Sequence, residues 1–231
     1  MSRAPLVSVI IPTLDEAGEI AAVLDHLAGL GGRFEVIVAD GGSTDETVAL
    51  ARGHGSHPRV VQTHGGRARQ LNDGAAQAGG ELLVFLHADS RLPDDAHVSL
   101  AAALRDPRIR GGNFVLRFDG ADRFSRTLSR WYAVQRRAGI YYGDSAVWVR
   151  RAAFEGLGGY RPLPIMDDYD FVRRLERSGA TACLRGPALT SARRWQQAGV
   201  ARTVGSWVVI RWLYLAGVPP RRLARAYRTI R

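Results

Sequence analysis

Apolar runs alternate with helix-period segments through the first part of the chain. Residues 6–11 form a continuous apolar run closed by Pro12, which is typical of a strand buried on both faces of a sheet. Residues 20–30 repeat apolar side chains at helical spacing and end at a Gly-Gly pair, which predicts a helix. The same patterns predict strands at 34–39, 59–63 and 81–87, with helices at 44–50 and 67–78.

This alternation of strand and helix predicts an α/β fold with a single doubly wound, mostly parallel sheet and right-handed crossovers. After Pro93 the pattern is less regular. It predicts helices up to residue 104, up to about residue 137 and over 167–178, and strands over 113–118 and 180–184. Two helices broken at Pro219-Pro220 follow. We therefore expect one main domain, residues 1–198, and a C-terminal helical extension, residues 199–231.

Acidic residues follow three of the predicted strands, at Asp15, Asp40 and Asp89. Because ligands of open α/β sheets bind at the carboxyl ends of the strands, we expect these carboxylates to converge on one crevice. Each also has a local explanation, since Asp15 can cap the first helix, Asp45 the second, and Asp40 can simply close its strand. Gly41 favours a ligand site, because a small residue lets a ligand approach the backbone closely.

Charge and cysteine content limit the kinds of partner and the cellular location that we expect. The 231-residue chain has a formal net charge of +10, its 32 basic residues are all arginine, and residues 193–231 contain no Asp or Glu. Arginine suits bidentate contacts to phosphate, so an anionic partner is expected. The single cysteine, Cys183, cannot form an internal disulfide and is expected in the core. The N-terminal apolar run lacks a cleavage pattern, and we expect a cytoplasmic protein.

Two acidic motifs suit metal binding and proton transfer. The carboxylate of Asp89 suits Mg²⁺ or Mn²⁺, which prefer hard oxygen ligands shared with phosphate groups; its alternative role is to start the turn before Pro93. In the pair Asp167-Asp168, adjacent like charges raise one pKa, which favours a general base. The alternative explanation of this pair is the preference of acidic residues for helix N-termini.

Arg194 and Trp195 follow the last predicted strand. A guanidinium there suits a leaving diphosphate, and an indole suits stacking on a sugar or a base. A solvated basic turn is the alternative.

Four motifs occur in the order and spacing of the family 2 glycosyltransferases: VSVIIPTLDE, VIVADGGSTDET, GELLVFLHADS and the acidic pair in PIMDDYD. The resemblance covers roughly residues 6–195 and implies an α/β nucleotide-binding fold of the glycosyltransferase A type. More narrowly, GGSTDET, FLHADSRLP, YYGDS and TSARRW resemble a bacterial subgroup of radical-SAM- or selenodomain-associated transferases, some of them placed in arsenosugar biosynthesis.

The resemblance implies roles for the residues that match the family's motifs. Asp40 would approach the base of the nucleotide, and Arg67 or Arg69 would reach the diphosphate. Asp89 would bind the diphosphate and a metal ion, Mg²⁺ or Mn²⁺, and Asp168 would be the catalytic base. The nucleotide-sugar side would comprise Pro12, Thr13, Glu16, Asp40, Gly41, Arg67, Arg69, Asn72 and Asp89. The acceptor and diphosphate side would comprise Gly143, Asp144, Asp167, Arg194 and Trp195.

The sequence departs from the family pattern at four positions. Gly41 stands where many members have a second Asp, and His87 replaces the first Asp of Asp-x-Asp, so metal binding depends on Asp89. Leu71 stands where many members have an Arg. Ser191 replaces the Gln of Gln-x-x-Arg-Trp, which argues against a processive polymerase.

The function implied by the resemblance is that of a metal-dependent, inverting glycosyltransferase. It would move a sugar from a nucleoside-diphosphate sugar to a hydroxyl of a small molecule or a lipid in one displacement. A nucleotidyltransferase is one alternative, but it would need a glycine-rich basic loop where PTLDEAGE is acidic. A nucleic-acid binder is another, but the aromatic residues of the basic tail suit helix packing, so no nucleic-acid partner is expected.

The tail contains an apolar stretch over residues 203–218, interrupted by Arg211. It is shorter than the roughly 20 residues that span a bilayer. One prediction is a helix packed on the domain. The other is an interfacial helix on the inner face of the membrane, since tryptophan, tyrosine and arginine without acids are typical of helices that bind anionic lipid. The sequence leaves the oligomeric state open, a homodimer included.

Overall fold

The structure is a computed structural model that describes residues 5–120, 122–191 and 200–230. Its strands are β1 (Val7–Thr13), β2 (Phe34–Asp40), β3 (Arg59–Gln62), β4 (Leu82–Phe85), β5 (Ser90–Arg91), β6 (Ile109–Phe118), β7 (Val147–Arg150) and β8 (Ala180–Thr190). Its helices are α1 (Ile20–Gly29), α2 (Thr47–Gly53), α3 (Arg67–Ala76), α4 (Ala96–Leu104), α5 (Arg123–Arg137), α6 (Arg151–Gly156), α7 (Asp167–Ser178), α8 (Val200–Leu215) and α9 (Pro220–Ile230). A 3₁₀ turn, Gly143–Ser145, precedes β7.

These strands form one sheet in the order β3-β2-β1-β4-β7-β6-β8-β5. β1 lies parallel to β2 and β4, and β2 parallel to β3, so the first half of the chain builds a parallel block through helical crossovers. β7 runs antiparallel to β4 and β6, β5 runs antiparallel to β8, and β6 and β8 are parallel. The predicted α/β fold with a doubly wound, mostly parallel sheet is confirmed.

Side chains of β1 alternate between the two faces of the sheet. Val7, Val9 and Ile11 belong to one buried cluster, which includes residues of α1 and α4. Ile10 belongs to a second cluster, which includes Leu71 of α3 and residues of α7. Because successive strand residues point to opposite faces, a continuous apolar strand fills both layers. Most polar residues of this region therefore lie at the strand ends and in the loops that follow.

Two local expectations are wrong. Asp15 does not cap the first helix, because α1 begins only at Ile20; its carboxylate instead accepts hydrogen bonds from Thr44 of the next loop, 2.8 Å from the backbone nitrogen. Cys183 is exposed rather than in the core. The short β5 pairs only with the end of β8, at Leu189 and Thr190, which leaves the part of β8 around Cys183 at the edge of the sheet.

The C-terminal helices pack on the domain, as one of the two predictions for the tail expects. Ile210 of α8 and Leu223 of α9 are buried. Trp207 packs against a small cluster that contains Leu128 of α5. Among the described helices, none combines the length and apolar character needed to cross a membrane. The predicted boundary between domain and extension falls within residues 192–199, outside the described residues.

Candidate active site

The loop after β2 is built around the carboxylate of Asp40. This buried side chain accepts hydrogen bonds from the hydroxyls of Thr13, at 3.1 Å, and Ser43, and from the backbone N–H groups of Gly42 and Ser43, both at 3.0 Å. Burial by itself raises the pKa of Asp40, but these hydrogen bonds outweigh it and lower the pKa below its usual value. Both oxygens of Asp40 are thus engaged in shaping the loop.

Gln70 of α3 ties the ends of β1 and β2 together. Its Nε2 donates to the backbone oxygens of Thr13, at 2.6 Å, and Ala39, at 3.0 Å. A Cβ atom at Gly41 would lie 2.7 Å from this Nε2, which explains the glycine at this position. Sequence reasoning missed Gln70, because a polar residue on a helix gives no sign of a contact with a strand far away in the chain.

Thr44 Oγ1 donates to Asp15 Oδ1 at 3.2 Å. Four further hydrogen bonds, all from backbone N–H groups, join the loop after β1 to the segment that follows β2. They run from the N–H of Asp15 to Ser43 Oγ (2.9 Å), from the N–H of Glu16 to Thr47 Oγ1 (2.8 Å), from the N–H of Ala17 to Asp45 Oδ2 (3.0 Å) and from the N–H of Thr44 to Asp15 Oδ1 (2.8 Å). Asp15 and Asp45 therefore organise a pair of loops at the carboxyl end of the sheet. Pro12, Thr13 and Glu16 lie on or beside the first of them.

Arg67, at the start of α3, connects three parts of the chain. Its Nη1 lies 3.0 Å from Asp167 Oδ2, and its Nη2 lies 2.8 Å from His87 Nε2. Burial lowers the pKa of the Arg67 guanidinium, but the charges of Asp167 and Asp168 raise it by more, so the arginine stays protonated. Burial also raises the pKa of Asp167; Arg67 opposes this rise and Asp168 adds to it.

Asp168 is held by the backbone of the 3₁₀ turn. The N–H of Gly143 donates to Asp168 Oδ2 at 2.9 Å, and the carboxylate stays partly accessible. A Cβ atom at Gly143 would lie 2.7 Å from Arg67 Nη2 and 3.2 Å from both Asp168 Oδ2 and His87 Nε2. Arg67, His87 and Asp168 therefore surround Gly143, and Asp167 joins them through its contact with Arg67. We call these four side chains the polar cluster.

A cavity of about 1100 Å³ opens beside the polar cluster. All four of its side chains line this cavity, as does Asp144. Tyr142 lines it too, stacked on Tyr169 with ring centroids 5.4 Å apart. Burial raises the pKa of Tyr142 to about 12, so its hydroxyl stays neutral at physiological pH. The remaining walls are mostly apolar and come from α5, α8 and residues 162–166.

Two predicted donor-side residues of α3 have partners of their own outside this cavity. Arg69 is 63% exposed and its Nε donates to Asp73 at 2.8 Å. Asn72 exchanges two hydrogen bonds of 2.8 Å with the backbone of Tyr160, and so fixes the loop between α6 and α7. Of the two arginines predicted to reach a diphosphate, Arg67 is therefore the one that lines the cavity.

Asp89 lies immediately before β5 and is partly accessible. It is the only carboxylate of the predicted metal motif, because His87 stands at the motif's other position. His87 Nε2 is itself engaged by the Arg67 guanidinium at 2.8 Å. Among the described residues, no group of three or more His, Cys, Asp or Glu side chains is placed to hold a metal ion. One carboxylate fits Mg²⁺ or Mn²⁺ only when phosphate oxygens supply further ligands, which is common for these cations.

Most of the predicted site residues that the structure describes fall into two groups. Arg67, Asp144, Asp167 and Asp168 line the cavity near Gly143, whereas Pro12, Thr13, Glu16, Asp40 and Gly41 lie at the ends of β1 and β2 and in the loops that follow. Arg69, Asn72 and Asp89 belong to neither group. Arg194 and Trp195 lie outside the described residues.

Comparison with known proteins places these features in a family. A family model described as "Glycosyl transferase family 2" matches residues 8–157. The chain is 31% identical over 206 residues to a "PGL/p-HBAD biosynthesis glycosyltransferase" of Mycobacterium bovis, covering 81% of this chain and 73% of the relative. It is 26% identical over 249 residues to the "Beta-monoglucosyldiacylglycerol synthase" of Synechocystis, covering 90% of this chain and 50% of the relative.

Among solved structures, the chain resembles the mannosyltransferase PcManGT from Pyrobaculum calidifontis, which was solved with GDP-Man and Mn²⁺. The TM-score is 0.72 at 25% sequence identity, over 93% of this chain and 64% of the mannosyltransferase chain. The chain thus spans about two thirds of that protein and half of the monoglucosyldiacylglycerol synthase.

Proposed function

This chain belongs to glycosyltransferase family 2, and we propose that it transfers a sugar from a nucleoside-diphosphate sugar to an acceptor hydroxyl with inversion at the anomeric carbon. The observation that carries the proposal is the position of Asp168. Its carboxylate lines the cavity and is oriented by the N–H of Gly143 beside the Arg67 guanidinium. A fixed carboxylate next to a partly buried cation suits proton removal from a hydroxyl close to a phosphate group.

Asp168 acts as the base in this proposal. It takes the proton of the acceptor hydroxyl, the acceptor oxygen bonds to the anomeric carbon, and the bond from that carbon to the diphosphate breaks, its electron pair leaving with the nucleoside diphosphate. Asp167 does not suit this role, because it is buried and ion-paired with Arg67 at 3.0 Å. Its part is to hold Arg67 in place.

Arg67 stabilises the negative charge that develops on the leaving diphosphate. Asp89 is the residue that would hold Mg²⁺ or Mn²⁺, and such an ion would offset further negative charge on the leaving group. Its support is the donor chemistry of Asp89 and the Mn²⁺ in the mannosyltransferase structure. The roles of Arg194 and Trp195 on the diphosphate and acceptor side stay predictions, since both lie outside the described residues.

The paired loops after β1 and β2 hold the nucleotide. Pro12 and Thr13 end β1 and Glu16 lies in the loop that follows it, while Gly41 begins the second loop, where its lack of a side chain accommodates Gln70. Asp40 supports this pocket by fixing its loop, since both of its oxygens accept hydrogen bonds within the loops. Arg69 and Asn72 support the site indirectly in this proposal. Arg69 is paired with Asp73, and Asn72 fixes the backbone of Tyr160.

Family membership decides against the two other classes considered, a nucleotidyltransferase and a nucleic-acid binder. The narrower resemblance to the radical-SAM-associated subgroup stays a prediction. One of the relatives named above suggests a lipid acceptor instead, because it is called a monoglucosyldiacylglycerol synthase and diacylglycerol is a lipid.

The test is a screen of nucleoside-diphosphate sugars with and without Mn²⁺. Thermal shift identifies the donor, and release of nucleoside diphosphate measures turnover. Asp168→Asn is expected to lose turnover by roughly 10² to 10⁴-fold with donor affinity nearly unchanged, as for removal of a general base. Asp94→Asn, a change at an exposed aspartate, is the matched control. An active Asp168→Asn enzyme contradicts the assignment. If Asp168→Asn stays active and Asp167→Asn loses turnover by the same factor instead, the base is Asp167.

A further inference from the structure

The cavity beside the polar cluster has two chemically different parts. Its polar end carries the catalytic carboxylate, and its other walls form a cleft between α5 and α8, which we call the α5–α8 cleft. The cleft is lined by Leu128, Trp131 and Val134 of α5, by Trp207, Val208 and Trp212 of α8, and by Ile165 and Met166. At about 1100 Å³, the whole cavity exceeds the roughly 300–1,000 Å³ of a typical small-molecule site. A sugar alone does not need such walls.

Large apolar side chains in this cleft are open to solvent. Trp212 is 66% exposed, Trp131 57%, Val134 53% and Val208 49%. All four line the same cavity. Single exposed apolar residues are ordinary, but a contiguous group beside a catalytic centre marks a surface that receives a partner or an apolar ligand.

The exposure does not arise from a loosely attached helix. The hydroxyl of Tyr214 donates to Asp170 at 3.3 Å, and its ring packs edge-on against Tyr169. Arg211 donates to Gln135 of α5 at 2.7 Å, and Ile210 is buried. One side of α8 is thus fixed to the domain while Trp212 and Val208 remain exposed.

Positive charge lies next to this apolar surface. Arg221 of α9 lines the cavity, and Arg222 and Arg225 are exposed on the same helix. The segment 200–230 contains no Asp or Glu. Exposed tryptophan together with unbalanced arginine matches the two requirements of an anionic lipid surface, an apolar interior and negative headgroups.

We propose that the acceptor is a lipid taken from an anionic membrane surface, with its hydroxyl at Asp168 and its apolar chains along the α5–α8 cleft. This inference rests on the proposed function and names its acceptor class. The lipid hydroxyl gives its proton to Asp168 and its oxygen to the new glycosidic bond. The nucleoside diphosphate leaves into the aqueous side of the site, and the glycosylated lipid stays in the membrane.

The first experiment measures binding of the full chain to vesicles of phosphatidylcholine and phosphatidylglycerol. With brominated acyl chains, tryptophan fluorescence is expected to be quenched, because Trp131 and Trp212 enter the apolar layer. The double variant Trp131→Gln/Trp212→Gln is expected to bind these vesicles at least about tenfold more weakly by cosedimentation, since two large apolar side chains are lost from the contact. Val98→Gln is the matched control, because Val98 is 71% exposed on α4 and does not line the cavity.

A second arm separates a membrane lipid from a free apolar alcohol. A dansylated long-chain alcohol is titrated into the protein without vesicles, and donor binding is followed in all samples by thermal shift. Absence of quenching by brominated vesicles at low salt overturns the proposal, as does unchanged vesicle binding in the double variant. Binding of the free alcohol without vesicle binding also overturns it and assigns the cleft to a soluble apolar acceptor. Failure of donor binding with vesicle binding intact would contradict the proposed function instead.

Discussion

In the proposed mechanism, binding of a metal ion depends on one protein side chain, that of Asp89. Because His87 Nε2 is engaged by Arg67, Asp89→Ala is expected to weaken the Mn²⁺-dependent affinity for UDP or GDP by more than about tenfold, while affinity without metal changes little. Calorimetric titration with and without Mn²⁺ measures both. Asp94→Ala is the control at an exposed aspartate nearby. Unchanged Mn²⁺-dependent affinity in a folded Asp89→Ala protein would remove Asp89 from the metal site.

The ionisation of Asp40 makes the stability of the paired loops depend on pH. Its pKa in the folded protein is lowered by hydrogen bonds from Ser43, Gly42 and Thr13 that outweigh burial. Ionised Asp40 therefore stabilises the fold fully above the unfolded pKa of about 3.9, and this contribution is lost as the pH falls through the lower, folded value. Asp40→Asn is expected to cost about 1–3 kcal/mol at pH 7, because an amide cannot accept all four hydrogen bonds.

Urea unfolding at pH 7 and at successively lower pH measures this effect. The difference in unfolding free energy between the parent and Asp40→Asn should shrink as the pH falls below about 4. Asp94→Asn should show no such difference at either pH, since Asp94 is exposed. A constant difference at all pH values would mean that the charge of Asp40 is not what stabilises the loop.

At the scale of elements, the 3₁₀ turn is joined to the N-terminus of α7 by the hydrogen bond from the N–H of Gly143 to Asp168, the proposed base. Gly143→Ala would place a Cβ atom 2.7 Å from Arg67 Nη2 and 3.2 Å from Asp168 Oδ2. Since even small displacements of reacting groups are costly, turnover is expected to fall by about 10²-fold, with a smaller change in donor affinity. Gly55→Ala is the control, because nothing lies within 4 Å of its added Cβ. Equal activity of the two variants would show that Asp168 needs no such exact support.

The elements themselves follow from local patterns. The apolar run of β1 and the repeat of α1 are local features, and their bounds match the predicted ones within about two residues. The contacts of the site are not local. Gly143 lies 25 residues from Asp168, and Gln70 lies 57 residues from Thr13. Such contacts depend on the order of the strands in the sheet. The resemblance to the family's motifs therefore identified Asp168 and Arg67, but not the contacts that bring them together.

Cys183 shows the same limit from the other side. Residues 180–184 have the composition of a strand, and that expectation holds, since β8 spans Ala180–Thr190. Whether a strand lies at the centre or the edge of a sheet depends on its neighbours. β5 pairs with β8 only at residues 189 and 190, and the sequence around Cys183 contains nothing that announces this short partner.

On the scale of the whole molecule, charge and apolar surface coincide at the C-terminal helices. The net charge is +10, but an even distribution would not direct the protein to a surface. The prediction is that binding to vesicles of anionic lipid falls steeply with salt, because the Debye length shortens from about 10 Å at 0.1 M to about 3 Å at 1 M. Truncation after Ala201 should weaken this binding, since it removes α8 and α9.

Truncation also uncovers Leu128 and its neighbours, which Trp207 covers, so a variant that keeps the helices is needed. Arg221→Gln/Arg222→Gln lowers the net charge from +10 to +8, and so does the control Arg105→Gln/Arg177→Gln at exposed positions outside α8 and α9. Cosedimentation at low salt should weaken by roughly 10- to 30-fold more for the first pair, since each arginine near the surface contributes about 1 kcal/mol. Equal loss in both pairs would mean that net charge alone drives the contact. If the parent fails to cosediment at low salt, α8 and α9 are structural, and the acceptor is a soluble molecule.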